Sequence, residues 1–79
     1  QLDRWRAFDG DYALKTERTD TQLTIHYAKV DDSIQRLREL VAAESACCSF
    51  VKWTIDQDHA DLRLTVTGTE EQLAVLNVG

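Results

Sequence analysis

The sequence lacks several features that would place it in a common class of small protein. Its 79 residues include no methionine and only two cysteines, too few for the disulfide framework of a small secreted domain. No apolar run approaches the ~18 residues that a membrane span requires, and we expect no signal peptide. The composition therefore predicts a cytoplasmic protein with reduced thiols and no membrane partner.

Positive charge is also scarce. Nine lysine and arginine residues stand against fourteen aspartate and glutamate residues, a formal net charge of −5. An acidic surface repels a phosphate backbone, so we do not expect this domain to bind nucleic acid. The chain starts at Gln1 and stops abruptly at Gly79. We therefore expect it to be a piece of a longer protein.

Motifs that would indicate catalysis are missing as well. The sequence contains no glycine-rich phosphate loop, no nucleophile elbow and no paired-histidine motif. Its two histidines, His26 and His59, stand apart from each other. The phase of His26 predicts that it faces solvent or the open side of a sheet, His59 lies in a predicted turn, and we expect both at the surface. Because no set of acid, base and nucleophile is visible, an enzyme is not the favoured interpretation.

The hydrophobic pattern predicts one domain of the α+β class. In residues 1–10, an N-terminal segment, apolar side chains recur at helical spacing and predict a short helix that ends in a turn at residues 9–11. Residues 11–79 then form a single domain. Between residues 11 and 29, two runs separated by a turn at residues 19–21 predict a β-hairpin with one buried face. The residues that alternate with polar neighbours are Tyr12, Leu14 and Thr16 in the first run and Leu23, Ile25 and Tyr27 in the second.

A long helix and a second hairpin follow. Asp32 with Gln35 resembles a capping box and opens a helix that reaches Cys47. Two alternating strands come next, and Thr69 with Gln72 offers a second capping box for a last helix. The predicted architecture is a four-stranded, mainly antiparallel sheet with helices on one face, in the order hairpin, helix, hairpin, helix. The side chains expected to pack the long helix on the second hairpin are Leu37, Val41, Cys48, Trp53, Ile55, Leu62, Leu64 and Val66.

The adjacent pair Cys47 and Cys48 is the strongest candidate site. On a helical wheel, Glu44 and Cys48 fall at the centre of the apolar face and Cys47 at its rim. An ionised, unpaired carboxylate in such a stripe costs several kcal/mol, so Glu44 needs a partner. Its i+3 and i+4 neighbours are the two thiols. We therefore predict a soft-metal site formed by Cys47, Cys48 and Glu44, with the thiolates as principal ligands.

Other interpretations of these residues stay open. Cys48 can be a small hydrophobic core residue, and Glu44 can pair with a basic side chain such as Arg18 or Lys52. A Cys47–Cys48 disulfide is not expected, because neighbouring Cα atoms lie ~3.8 Å apart and ordinary disulfides need ~4.4 Å. The helix C-terminus and the carboxylate both favour protonated thiols, which argues against dithiol redox chemistry. A soft metal can still displace the protons.

Residues 44–50, Glu-Ser-Ala-Cys-Cys-Ser-Phe, resemble a small bacterial domain built around a Glu-x-x-Cys-Cys-x-Phe motif. That domain is known from stand-alone actinobacterial proteins and from regions attached to mercury-resistance-type regulators. The match extends over the long helix and the second hairpin, about half of the chain, and departs at Ser49, where proline or alanine is expected. The resemblance implies handling of a soft metal or metalloid, such as mercury, zinc or arsenic, and a fused regulatory domain as partner.

Two functions of different classes follow. The first is a soft-metal binding or sensing module that uses the vicinal cysteines. The second is a protein-interaction or dimerisation domain, in which the open face of the sheet packs on a partner, such as a second copy in a homodimer, and the cysteines are structural.

Overall fold

The computed structural model describes residues 2–76; Gln1 and residues 77–79, the end of the predicted domain, lie outside the described residues. Within residues 2–76, three helices and four strands follow one another in this order: α1 (Leu2–Tyr12), β1 (Ala13–Arg18), β2 (Gln22–Tyr27), α2 (Asp31–Cys47), β3 (Lys52–Asp56), β4 (Leu62–Thr67) and α3 (Glu70–Ala74). The strands form one antiparallel sheet in the order β1-β2-β4-β3. The α+β prediction is confirmed. No helix within the described residues is long and apolar enough to cross a membrane.

The core lies between one face of the sheet and the helices. Side chains alternate between the two faces of a strand, and the antiparallel register places Ile25 of β2 opposite Leu64 of β4. Leu64 and Val66 are both fully buried, which confirms the predicted phase of β4. The other buried apolar residues of the core are Trp5, Phe8, Leu23, Ile25, Tyr27, Leu37, Leu40, Val41, Val51, Leu62 and Leu73.

Helix α1 is longer than predicted. Residues 9–11, expected to form a turn, continue the helix to Tyr12. A glycine inside a helix costs about 1 kcal/mol relative to alanine. Here Gly10 is tolerated because Trp5 and Phe8 bury the other side of the helix, with the Phe8 and Tyr27 ring centroids 4.6 Å apart. Tertiary packing therefore overrides the local turn signal, and α1 belongs to the same core as the rest of the domain.

Strand β1 also departs from its expected pattern. The predicted alternation began at Tyr12, but Tyr12 ends α1 and the strand starts at Ala13. The register with β2 shifts between Ala13 and Lys15, as in a β-bulge, and every residue of β1 is exposed. Leu14 is 62% exposed. A bulge shifts the phase of a strand, so the predicted inward position of Leu14 is wrong.

The two predicted capping boxes have different outcomes. Helix α2 starts at Asp31, and the N–H of Val30, its N-cap residue, donates to Ser33 Oγ at 2.9 Å. The predicted N-cap, Asp32, therefore lies two residues beyond the observed one. Its carboxylate instead accepts a hydrogen bond from the Tyr12 hydroxyl. The second box is confirmed. The N–H of Gln72 donates to Thr69 Oγ1 at 3.1 Å, and the N–H of Thr69 donates to Gln72 Oε1 at 2.9 Å.

The open face of the sheet is polar. His26 lies on it, as its phase predicted, but only 7% of the residue is exposed. Its Nδ1 lies 2.8 Å from Asp61 Oδ2, and its Nε2 lies 3.7 Å from Glu17 Oε1. The side chains of Glu17, on β1, and of Asp61, just before β4, therefore cover the imidazole, and the expected surface position is wrong for His26. His59 is exposed as expected, with Nε2 3.0 Å from Asp56 Oδ2.

Candidate functional site

The cysteine pair lies where α2 ends. Cys47 is the last residue of the helix, and Cys48 follows it as the C-cap residue with φ −121° and ψ 55°. The N–H of Cys48 donates to the carbonyl oxygen of Glu44 at 2.6 Å. Cys47 is exposed and Cys48 is half-buried, and both are free cysteines. The structure thus agrees with the expected directions, with Cys48 inward and Cys47 toward the rim.

The carboxylate of Glu44 has two partners. Its Oε1 accepts a hydrogen bond from the indole Nε1 of Trp5 at 3.2 Å, and its Oε2 accepts one from Cys48 Sγ at 3.6 Å. Neither Arg18 nor Lys52, the basic partners considered from the sequence, forms an ion pair with Glu44 within residues 2–76. The half-buried carboxylate is therefore satisfied by an indole and a thiol.

A second tryptophan holds the turn that contains Cys48. The indole Nε1 of Trp53, on β3, donates to the carbonyl oxygen of Cys48 at 3.1 Å. Trp5 comes from α1 and is 1% exposed, so the two indoles approach the end of α2 from different elements. From the sequence, packing is the favoured role of both tryptophans, with the lining of a ligand pocket as the alternative. The signal that was missed is complementarity, because a buried indole N–H needs an acceptor and a carboxylate in an apolar stripe needs a donor.

In the segment after the cysteines, one apolar side chain is buried and its neighbour in sequence is exposed. Val51 is buried, and a Cβ atom built on Gly68 would lie 2.8 Å from Val51 Cγ1, so the backbone at Gly68 packs closely against this valine. Phe50, next to it, remains 45% exposed. Val51 and Trp53 therefore fix the turn, while Cys47 and Phe50 stay accessible from solvent.

The electrostatics of the site keep Cys48 protonated. Burial raises the pKa of the Cys48 thiol, and the hydrogen bond to Glu44 and the negative charge of that carboxylate raise it further. A thiol of this kind is a weak nucleophile, because the thiolate is the reactive form. A raised pKa of this kind disfavours redox reactivity of the Cys48 thiol. A ligand for Cys48 must displace its proton.

The three predicted ligands are only partly brought together. Cys48 and Glu44 are in contact, whereas Cys47 points into solvent. Within the described residues, no group of three or more histidine, cysteine, aspartate and glutamate side chains is arranged to hold a metal ion. The donors at the end of α2 are two thiols and one carboxylate. Thiolates suit soft ions, and two of them do not complete the four-coordinate shell of zinc.

Comparison of the chain with protein-family models, with curated proteins and with solved structures found no match. We therefore infer the function of the domain from the chemistry of Glu44, Cys47 and Cys48.

Proposed function

We propose that this domain binds a soft metal or metalloid ion, such as Hg²⁺, through Cys47 and Cys48, with Glu44 assisting. The observation that carries the proposal is the contact of Cys48 Sγ with the Glu44 carboxylate, 3.6 Å away, beside a solvent-exposed thiol at Cys47. One thiol is held in place by the fold, and its neighbour in sequence is accessible to an incoming ion.

The choice of a soft ion follows from the donors. Thiolates bind soft cations in preference to hard ones. Arsenic(III) has the same preference for sulfur. Zinc would require Glu44 and a fourth group, either a histidine or a residue from a second chain. The domain is therefore expected to discriminate in favour of ions that two thiolates can hold.

Glu44 has a role in the binding step. Because the pKa of Cys48 is raised, binding must release a proton from this thiol. Glu44 Oε2 already accepts the Cys48 S–H and can receive that proton. The Trp5 indole donates to the other carboxylate oxygen and so holds the carboxylate in place beside the thiol. Loss of the Glu44 charge should weaken binding and change its pH dependence.

Isothermal titration of the reduced protein with Hg²⁺, Zn²⁺ and arsenic(III) tests the proposal. Cys47→Ser and Cys48→Ser should each reduce the affinity for Hg²⁺ strongly, and Glu44→Gln should reduce it less. Ser45→Ala is the matched control, because Ser45 lies on the same turn of α2 and its hydroxyl donates only to the Ala42 carbonyl oxygen. Equal affinity for Hg²⁺ in both serine variants and in the wild type would end the metal-binding proposal.

A separate observation favours the second candidate function, a protein-interaction or dimerisation domain. Strand β1 lies at one edge of the sheet, and all six of its residues are exposed. Thiol labelling of the native protein distinguishes a metal site from structural cysteines. Rapid labelling of Cys47 and protection of Cys47 by Hg²⁺ support the metal site, whereas protection of both thiols without metal supports structural cysteines.

A further inference from the structure

The free edge of strand β1 is open along its length. β1 is the outermost strand of the order β1-β2-β4-β3, so within residues 2–76 it pairs on one side only. Each of its residues, Ala13 to Arg18, is exposed to solvent. An edge strand with unpaired backbone N–H and C=O groups is a template for a further strand.

The hydrogen-bond ladder shows which backbone groups face this edge. The N–H of Thr19 donates to the carbonyl oxygen of Gln22 at 2.8 Å, so Thr19 and Gln22 face each other within the hairpin. Residues of an antiparallel strand turn their backbone groups alternately toward and away from the neighbour. The backbone N–H and C=O groups of Glu17, which pairs with Thr24, thus point toward β2. The N–H and C=O groups of Thr16 and Arg18 therefore point outward.

The charges on β1 are self-complementary in one register. If a second copy pairs antiparallel to β1 with the two-fold axis at Thr16, Lys15 of each copy lies opposite Glu17 of the other. These are non-hydrogen-bonded positions, where opposing Cα atoms are only ~4.5 Å apart and side chains meet. Within one chain, Lys15 Nζ already lies 2.8 Å from Glu17 Oε1. The pairing joins these two ion pairs into a network of four charges.

Neighbouring registers are disfavoured by the same residues. In any antiparallel pair of β1 strands, the outward-facing backbone groups of one copy must meet those of the other. The nearest alternative registers that satisfy this condition have the two-fold axis at Lys15 or at Glu17. An axis at Lys15 places the two Lys15 side chains of the dimer opposite each other, and an axis at Glu17 places the two Glu17 side chains opposite each other. Like charges directly opposite each other are destabilising. Charged residues usually protect an edge strand from pairing, but their order here permits one register.

We propose that two copies of this domain associate through β1, antiparallel and centred on Thr16, to form one continuous eight-stranded sheet. The inference specifies the partner of the second candidate function and does not involve the metal site. A single strand pair buries little surface, so the dimer should be weak and sensitive to salt.

Sedimentation velocity over a range of protein concentrations, in reducing buffer without metal, tests the pairing. The wild type should show a dimer whose population rises with concentration. Lys15→Glu and Glu17→Lys should each weaken it about tenfold to thirtyfold, because both cross-strand pairs turn from attraction to repulsion. An equimolar mixture of the two variants should restore the dimer, since two acidic positions on one strand then face two basic positions on the other.

Two controls make the outcome specific. Lys52→Glu changes the charge by the same amount at an exposed position of β3, the opposite edge, and should leave the dimer unchanged. Cys47→Ser should also leave it unchanged, whatever this variant does to metal affinity. A wild type that stays monomeric, a mixture no heavier than its two components, or equal weakening by Lys52→Glu would overturn the proposal.

Discussion

The indole of Trp5 donates a hydrogen bond to Glu44 across 39 residues of sequence, with Nε1 3.2 Å from Oε1. This contact joins the first helix to the cysteine-bearing end of the second. It also supplies a partner for a carboxylate that would otherwise sit in an apolar stripe. The position of Cys48, which donates to the other oxygen of Glu44, therefore depends on a residue outside the cysteine motif.

Trp5→Phe should lower the free energy of unfolding by about 1–3 kcal/mol, because it leaves a half-buried carboxylate oxygen without its donor. Urea unfolding of the variant measures the loss. Trp53→Phe is the comparison, since its indole donates to a neutral carbonyl and its removal should have the smaller effect. If the losses are equal, or Trp53→Phe is the worse, the hydrogen bond to Glu44 has no special weight.

Glu44→Gln should lower the pKa of the Cys48 thiol. The hydrogen bond to Glu44 and its negative charge both raise that pKa, and the variant removes the charge and leaves only a neutral amide oxygen as acceptor. Burial, the largest cause, persists, and the pKa should remain above its ordinary value. The ultraviolet absorbance of the thiolate, followed against pH in a Cys47→Ser background, reports Cys48 alone. An unchanged titration would show that Glu44 does not act on this thiol.

Asp9→Asn should stabilise the protein at neutral pH. Burial raises the pKa of Asp9, an effect that the Tyr27 hydroxyl partly offsets. A folded-state pKa above the unfolded value of ~3.9 means that stability falls as pH rises from that value through the folded pKa. The gain from asparagine should therefore be present at pH ~7 and absent below pH ~4. Thermal unfolding at the two pH values checks this, and a gain at both would contradict it.

Asp61→Asn should show the opposite pH dependence. The hydrogen bonds from His26 and then Arg63 lower the pKa of Asp61 to about 2. A depressed pKa contributes stability that is complete above the unfolded value of ~3.9 and is lost as pH falls through the folded one. The variant should be less stable than the wild type at neutral pH, and the difference should shrink between pH ~4 and pH ~2. A difference that stays constant with pH would point to lost packing alone.

Gly68→Ala should destabilise the domain by about 1–3 kcal/mol, because the added methyl group overpacks the site. Its Cβ would lie 2.8 Å from Val51 Cγ1 and 2.9 Å from Gln72 Oε1. Gly10→Ala is the matched control. It lies inside α1 with no atom within 4 Å of the added carbon, and should stabilise the protein by about 0.5–1 kcal/mol. Chemical denaturation measures both, and a loss in each variant would refute the steric explanation.

Much of the fold could be predicted from local pattern. The apolar alternation of β4 and the helical spacing of apolar residues in α2 each indicate one buried face. The sequence alone therefore predicts which side chains of these two elements face the core. The capping box of Thr69 and Gln72 is likewise local, because its partners lie three residues apart. The structure of the first hairpin was harder to predict from the sequence. The bulge between Ala13 and Lys15 and the extension of α1 to Tyr12 depend on contacts with the core, which no local pattern records.

By itself, the sequence determined the acidic surface, the class of fold, and the adjacency of two thiols to a carboxylate one helical turn earlier. These are properties of composition and of spacing along a regular helix or strand. The tertiary structure alone decided that Trp5 meets Glu44, that His26 is covered by Glu17 and Asp61, and that β1 is left at an edge. Such contacts join residues distant along the chain, and only the packing of the helices on the sheet brings them together.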